Sequence, residues 1–304
     1  MNRDDLKGII VIMPTAFNSD GSIDEDNYRK NIQKICKTEV QGIMTLGTTG
    51  EFYNISFDEY KYLVDILLDE VSNNLKVIVG ASGVNNFEAI RRVKYAEKMG
   101  ADAVINVVPF YQALSQDEIF KYFKKLSTEC KEIGIIAYNN HITTKVNIAP
   151  QTYKKLSDIK NFLGSKEITS DYFYFSNILK AAPELKLMPV ETLVVPASIL
   201  GVDGFFSSII FMNPNFQNEL YSTCKQKNWK KAIDMQYKII DFINEIVVPL
   251  RSKYSEVSLA KALVNASGFI EVGPPRAPYI PVSSSDQEKL RKDLEKSFEY
   301  LIYK

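Results

Sequence analysis

The chain has 304 residues with 37 basic and 37 acidic side chains, 45% hydrophobic and 24% charged, the composition of an ordinary globular protein with a large core. Zero formal charge and the lack of a basic run argue against nucleic acid or an anionic membrane as the main partner. Cys36, Cys130 and Cys224 are far apart and odd in number, so they suggest neither a disulfide framework nor a zinc pattern, and one histidine, His141, excludes a two-histidine metal site. The Met1–Leu6 segment lacks the apolar core of a signal peptide and no apolar run is long enough to span a bilayer, so a cytoplasmic location is expected. No metal and no cofactor are expected, which leaves lysine, tyrosine, hydroxyls and carboxylates to carry any chemistry.

In chain order, Gly8-Ile9-Ile10-Val11-Ile12-Met13 is a continuous apolar run closed by Pro14-Thr15, as a strand buried on both faces requires. Tyr28, Ile32 and Ile35 recur at helical spacing, and Gly42-Ile43-Met44-Thr45-Leu46 is the second strand, ending in Gly47-Thr48-Thr49-Gly50-Glu51. The next helix opens with the capping box Ser56…Glu59 and carries Tyr60, Leu63, Val64 and Leu67 on one face. The unit then repeats: strands over 76–80, 103–108 and 134–138, with helices opened by Asn85…Glu88, Ser115…Glu118 and Pro150. The sixth strand is Phe162-Leu163-Gly164-Ser165-Lys166-Glu167-Ile168-Thr169, an apolar run that ends in a lysine. Leu185-Lys186-Leu187-Met188 is a weaker seventh strand, and the run from Gly204 to Ile210 an eighth, followed by a helix from Asn213-Pro214.

Gly100 and Gly201 each fall after a helix and before a strand, where glycine stops a helix in the left-handed conformation. Eight strands alternating with helices, without a break in composition, predict one closed (β/α)8 TIM barrel over 1–228 that carries the active site. An open doubly wound sheet would want a glycine-rich phosphate loop after the first strand, and Pro14-Thr15-Ala16-Phe17 is not one. Residues 229–304 read as a helical extension packed on the barrel and useful for subunit contacts. Trp229, Ala232, Met235, Ile239, Ile243 and Val247 form one apolar face, a shorter helix lies around Leu259–Val264, Gly273–Pro278 is a rigid loop, and Ser285…Glu288 caps a last helix.

Active sites of such barrels lie at the carboxyl ends of the strands. Collected there are Gly47-Thr48-Thr49-Gly50-Glu51, Tyr111, Tyr138-Asn139-Asn140 and Lys166. A lysine at a strand end is ordinarily a snorkelling side chain, and a threonine or tyrosine ordinarily turn or core chemistry. Together at one end of one barrel they suggest a desolvated amine that attacks a carbonyl, a tyrosine that passes protons, and hydroxyls that hold the carboxylate of a 2-oxo acid.

These motifs, with Pro14-Thr15-Ala16-Phe17, Val108-Pro109-Phe110-Tyr111 and Lys166-Glu167, resemble those of the dihydrodipicolinate synthase/N-acetylneuraminate lyase family along nearly the whole chain. The resemblance implies that Lys166 forms an imine with pyruvate and that Tyr138 is the acid/base. It further implies that Thr48 and Tyr111 extend the proton relay, Tyr111 across a dimer interface. Thr48 and Thr49 would bind the carboxylate, helped by backbone near Phe206, with Asn140, His141 and Glu191 towards the second reactant. The family's usual assembly is a homotetramer, a dimer of dimers.

Departures from the family pattern bear on that second reactant. The arginine that binds a second carboxylate in dihydrodipicolinate-forming members is replaced by Thr143, and the proline common after Tyr-Asn-X by His141. The glycine- and acid-rich segment of sialate-cleaving members is Pro189-Val190-Glu191-Thr192-Leu193 here, with one acid and no glycine. The leading expectation is a lyase that cleaves or forms a 2-oxo acid from pyruvate and an aldehyde, with weak use of aspartate semialdehyde. Alternatives are a 2-oxo sugar acid dehydratase or cyclic imino acid deaminase that uses the same imine, and a non-catalytic 2-oxo acid sensor.

Overall fold

A computed structural model describes residues 1–72 and 74–303. Eight parallel strands, β1 (Gly8–Ile12), β2 (Gly42–Thr45), β3 (Lys76–Gly80), β4 (Ala103–Asn106), β5 (Gly134–Asn139), β6 (Phe162–Glu167), β7 (Lys186–Pro189) and β8 (Gly204–Ser207), are hydrogen-bonded in the order β7-β6-β5-β4-β3-β2-β1-β8. A single parallel bridge between Val190 and Phe206 joins the two ends, so the sheet closes into the expected (β/α)8 barrel. At the β1–β8 seam Gly204 sits at φ +143°, and a Cβ there would lie 2.3 Å from the Gly8 carbonyl oxygen, so only glycine lets these strands pair.

Helices between the strands begin where the sequence places them. Ser56 and Ser115 form reciprocal capping boxes with Glu59 and Glu118, Asn85 accepts from the Glu88 N–H, and Pro150 occupies the first turn of helix Pro150–Leu156. Gly100 ends helix Asn86–Met99 at φ +91°. Strand ends come earlier than the apolar runs suggest: β4 stops at Asn106 and β8 at Ser207, because residues beyond the barrel rim turn away from their neighbours to form loops. The last helix, Ser284–Ser297, is capped by Ser283 accepting from Asp286 N–H, two residues before the Ser285…Glu288 pattern.

The C-terminal helices are Trp229–Phe242, continued by a π-helical turn at Ile243–Val247 and a short turn at Val248–Leu250, then Glu256–Ser267 and Ser284–Ser297. They are tied to the first half of the barrel by polar bonds of long sequence separation. Asn31 Nδ2 donates to the Glu271 carbonyl at 2.6 Å and Lys34 Nζ to the Phe269 carbonyl at 2.7 Å. Lys261 Nζ pairs with the Glu51 carboxylate at 2.7 Å, both side chains fully buried. No helix among the described residues is long and apolar enough to cross a membrane.

Candidate active site

Lys166 is the fifth residue of β6, and its backbone faces Tyr138 on β5 and Met188 on β7. Side chains alternate along a strand, so Ser165 and Glu167 point outward while Lys166 points into the barrel. The outer pair confirms this: the Glu167 carboxylate accepts from Tyr153 Oη, Ser165 Oγ and, at 2.8 Å, Asn139 Nδ2, all between sheet and helices. Burial pushes the Glu167 carboxyl above its ordinary range, against the pull of those hydrogen bonds. Asn139 and Glu167 are register partners, so their bond clamps β5 to β6 one residue beyond Tyr138 and Lys166.

On the inner face Lys166 is 2% exposed. Its Nζ lies 4.1 Å from the centroid of the Tyr138 ring and 5.7 Å from that of Phe206, and no carboxylate pairs with it among the described residues. Tyr138 Oη is 3.3 Å from Thr48 Oγ1 and accepts at 3.5 Å from Asn140 Nδ2. Asn140 also caps the short helix His141–Thr144 through Thr143 N–H. An amine, a phenol and two hydroxyl-bearing threonines therefore meet at one end of the barrel.

The Thr48–Thr49 turn is held in a conformation that few residues adopt. Leu46 and Glu51, on either side, both have φ +54°. Beneath it, Gly80 of β3 lets the strand approach, since a Cβ there would fall 1.9 Å from the Leu46 carbonyl oxygen. Thr15 Oγ1 donates to the Gly50 carbonyl at 2.8 Å, and Glu51 is anchored by Lys261 and by the Arg276 N–H. Thr49 Oγ1 is buried with no hydrogen-bond partner among the described residues, as is His141 Nδ1. Both residues line the cavity of about 420 Å³ that also exposes Lys166, Tyr138 and Thr48. A buried hydroxyl left without a protein partner in a cavity wall can bond to whatever fills the cavity, water included.

The remaining candidates fall differently. Glu191 lines the cavity, but its Oε1 accepts from Ser208 N–H, from Ser208 Oγ at 3.2 Å and from Ile209 N–H at 2.9 Å. The first backbone donors after β8 are therefore engaged by Glu191. Phe206 contributes its ring face beside Lys166. Tyr111 is 82% exposed and does not line the cavity; its carbonyl accepts from Lys145 Nζ at 2.8 Å.

Sequence reasoning did not single out Phe242, Ile243, Val247, Arg251 or Leu259 of the C-terminal helices as lining the cavity. The helical extension is thus part of the site wall rather than only a surface for subunit contacts. A signal was present in Pro249, which cannot donate to a carbonyl four residues back and so marks a break in the helical ladder. Among the described residues no group of three or more His, Cys, Asp or Glu could hold a metal ion.

Known proteins of similar sequence and fold point to one family. The sequence matches the profile of the dihydrodipicolinate synthetase family over residues 5–297. It is 28% identical to 4-hydroxy-tetrahydrodipicolinate synthase of Methanothrix thermoacetophila, covering 96% of this chain and 97% of the relative. A solved structure of PhdJ bound to a substrate intermediate superposes with a TM-score of 0.90 at 22% identity, over 99% of this chain and 98% of that one, a likeness of fold. A monomeric dihydrodipicolinate synthase variant superposes with a TM-score of 0.86 at 26% identity, over 97% and 98%.

Proposed function

The chain belongs to the dihydrodipicolinate synthetase family of carbon–carbon lyases, and on that premise we propose that it joins pyruvate to an aldehyde, or cleaves the resulting 2-oxo acid, through an imine on Lys166. The observation that carries this is the Lys166 amine: buried, free of any carboxylate among the described residues, and 4.1 Å from the ring of a tyrosine whose hydroxyl reaches Thr48. In the synthetic direction Lys166 Nζ attacks C2 of pyruvate, water leaves, and loss of a C3 proton gives the enamine. C3 then bonds to the aldehyde carbon, the aldehyde oxygen takes a proton, and water hydrolyses the imine to release the 4-hydroxy-2-oxo acid and regenerate the amine. Tyr138, coupled to Thr48, moves the protons, and the open Thr49 hydroxyl with the backbone of its turn holds the pyruvate carboxylate.

The barrel of 1–228 supplies this chemistry and the extension 229–304 walls it. Asn140 and His141 border the aldehyde side, Asn140 through its bond to Tyr138. The exposed Tyr111 fits a role as a relay residue in a neighbouring subunit of a dimer of dimers. Mixing inactive Tyr111→Phe with inactive Lys166→Ala subunits then restores activity; no recovery after proven exchange removes Tyr111 from the relay. A cytoplasmic location, as expected from the sequence, is part of the same proposal.

The test is reductive trapping. Borohydride with pyruvate adds the mass of the reduced adduct to the peptide containing Lys166 and inactivates the enzyme. Absence of label, under conditions where a known imine-forming aldolase is labelled, defeats the reading.

A further inference from the structure

The strand that carries Lys166 is not regular. Ile135 of β5 faces Phe162 and Ile136 faces Gly164, so β6 holds one extra residue, Leu163. Among the described strand pairs this is the one whose register shifts. The bulge decides where the lysine points. Phe162 lies outside the sheet, its ring centroid 5.4 Å from that of Phe123 on helix Gln116–Glu129. Strict alternation from Phe162 would carry Lys166, four residues on, to that outer face as well. The extra residue reverses the phase, so Ser165 and Glu167 turn outward and Lys166 turns inward, opposite Tyr138. Glycine is required at the bulge: a Cβ on Gly164 would fall 2.0 Å from the Lys186 carbonyl oxygen of β7.

Beyond the bulge only four residue pairs hold the shifted register, from Ile136 opposite Gly164 to Asn139 opposite Glu167. The last pair adds a side-chain bond, Asn139 Nδ2 donating to Glu167 Oε2 at 2.8 Å. Both of its ends are anchored in the layer outside the sheet. Tyr153 Oη, from helix Pro150–Leu156, and Ser165 Oγ donate to Glu167 Oε1. Asn139 Nδ2 also donates to Tyr174 Oη at 2.8 Å, and Asn139 Oδ1 accepts from the Ile148 N–H at 3.3 Å. Glu167 is fully buried, and no cation pairs with it among the described residues. Packing alone gives no reason for a carboxylate there, because burying one among neutral donors is costly and apolar side chains would fill the same volume.

We infer that Glu167 is a positioning residue for the imine chemistry: bonded to Asn139, it holds the register set by the bulge and so keeps the Tyr138 phenol against the Lys166 amine. This rests on the imine reading above and deepens it. The carboxylate touches no reactant. It acts from the outer face of the two strands whose inner faces carry the phenol and the amine, with Nζ 4.1 Å from the ring centroid. A displacement of about 1 Å between reacting groups is enough to cost on the order of 10²-fold in rate. Thr48 and Thr49, the proposed carboxylate contacts, stand on the loop after β2, away from the β5–β6 clamp.

The test uses pyruvate alone. Imine is trapped with borohydride after timed mixing, and the label on Lys166 gives a maximal rate and a half-saturating pyruvate concentration. Glu167→Leu is expected to lower the maximal rate by about tenfold or more, with half-saturation moving less than about threefold. Glu167→Gln, whose Oε1 still accepts from Asn139, is expected to recover most of that loss. In a Tyr138→Phe background Glu167→Leu is expected to cost less than about threefold, because the phenol it positions is gone. A thermal melt reports folding, and Glu167→Ala takes the place of an unfolded Glu167→Leu. Failure of both to fold overturns the inference, since Glu167 would then serve the fold alone. A smaller fall in the maximal rate overturns it, as does a larger shift in half-saturation, a Glu167→Gln enzyme as slow as Glu167→Leu, or the full loss persisting beside Tyr138→Phe. Each of these, with wild-type Lys166 labelled, removes the inference alone; absence of label in wild type removes the imine reading together with it.

Discussion

Among the described residues two lysines are buried, and they are buried in opposite ways. Lys261, 1% exposed on helix Glu256–Ser267, pairs with Glu51 at 2.7 Å, donates to the Pro274 carbonyl at 3.1 Å, and lies 4.3 Å from the Phe17 ring centroid. Lys166, 2% exposed, has ring faces beside it and no carboxylate among the described residues. Desolvation holds the Lys261 amine below its ordinary range while Glu51 pulls it back, the signature of a charge that the fold has satisfied. Burial alone therefore says little about a lysine. A fully satisfied amine fastens two parts of the chain, and an unsatisfied one at a cavity is available for chemistry.

The two are also connected. Glu51 ends the turn that carries Thr48 and Thr49, so Lys261 holds in place hydroxyls that line the same cavity as Lys166. That arrangement gives each lysine a distinct failure.

Replacing Lys166 by alanine is expected to remove turnover and pyruvate labelling, a loss on the order of 10⁴-fold or more, with no fall in melting temperature beyond that of a small cavity. A large thermal penalty with residual turnover would make Lys166 the structural lysine instead. Tyr138→Phe keeps the ring face beside Nζ and deletes only the hydroxyl. Imine formation and turnover should both slow by roughly 10²- to 10³-fold; unchanged rates would assign the proton transfers elsewhere.

Lys261→Met strands Glu51 as a buried unpaired charge. It is expected to cost about 3–5 kcal/mol, a fall of roughly 6–10 °C in Tm, and Glu51→Gln in the same chain should recover part of it because the stranded charge is gone. A Tm within a degree of wild type would show that the pair fastens nothing. The smallest effect belongs to a solvated cluster of three side chains, where Lys125 and Lys94 hold the Glu129 carboxyl down to about 2. Its folded-state pKa is depressed, so its contribution is present above the ordinary carboxylate range and is lost as pH falls through about 2. Wild type and Glu129→Gln should differ slightly in Tm at neutral pH and converge in strong acid; a gap that widens on acidification would reverse the sign.

The sequence by itself determined the strands, most of the caps and which side chains gather at one end of the barrel. Short apolar runs that alternate with capped helices read as strands buried on both faces, and Ser56, Asn85 and Ser115 announce their helices through local hydrogen bonds. Lys166, Tyr138, Thr48 and Thr49 were legible because β-strand alternation and barrel geometry send strand-end residues to one place. What only the tertiary structure decided are the pairings of distant segments. Lys261 finds Glu51 across 210 positions, Glu191 closes on the backbone after β8, and Tyr111 is turned to the surface rather than into its own cavity. The π-helical turn belongs with these: Pro249 announces a break, but packing of the extension on the barrel selects which residues face the cavity. Periodicity records which face of an element is apolar; it holds no information about which partner that face meets, because the partner is chosen by closure of the whole barrel.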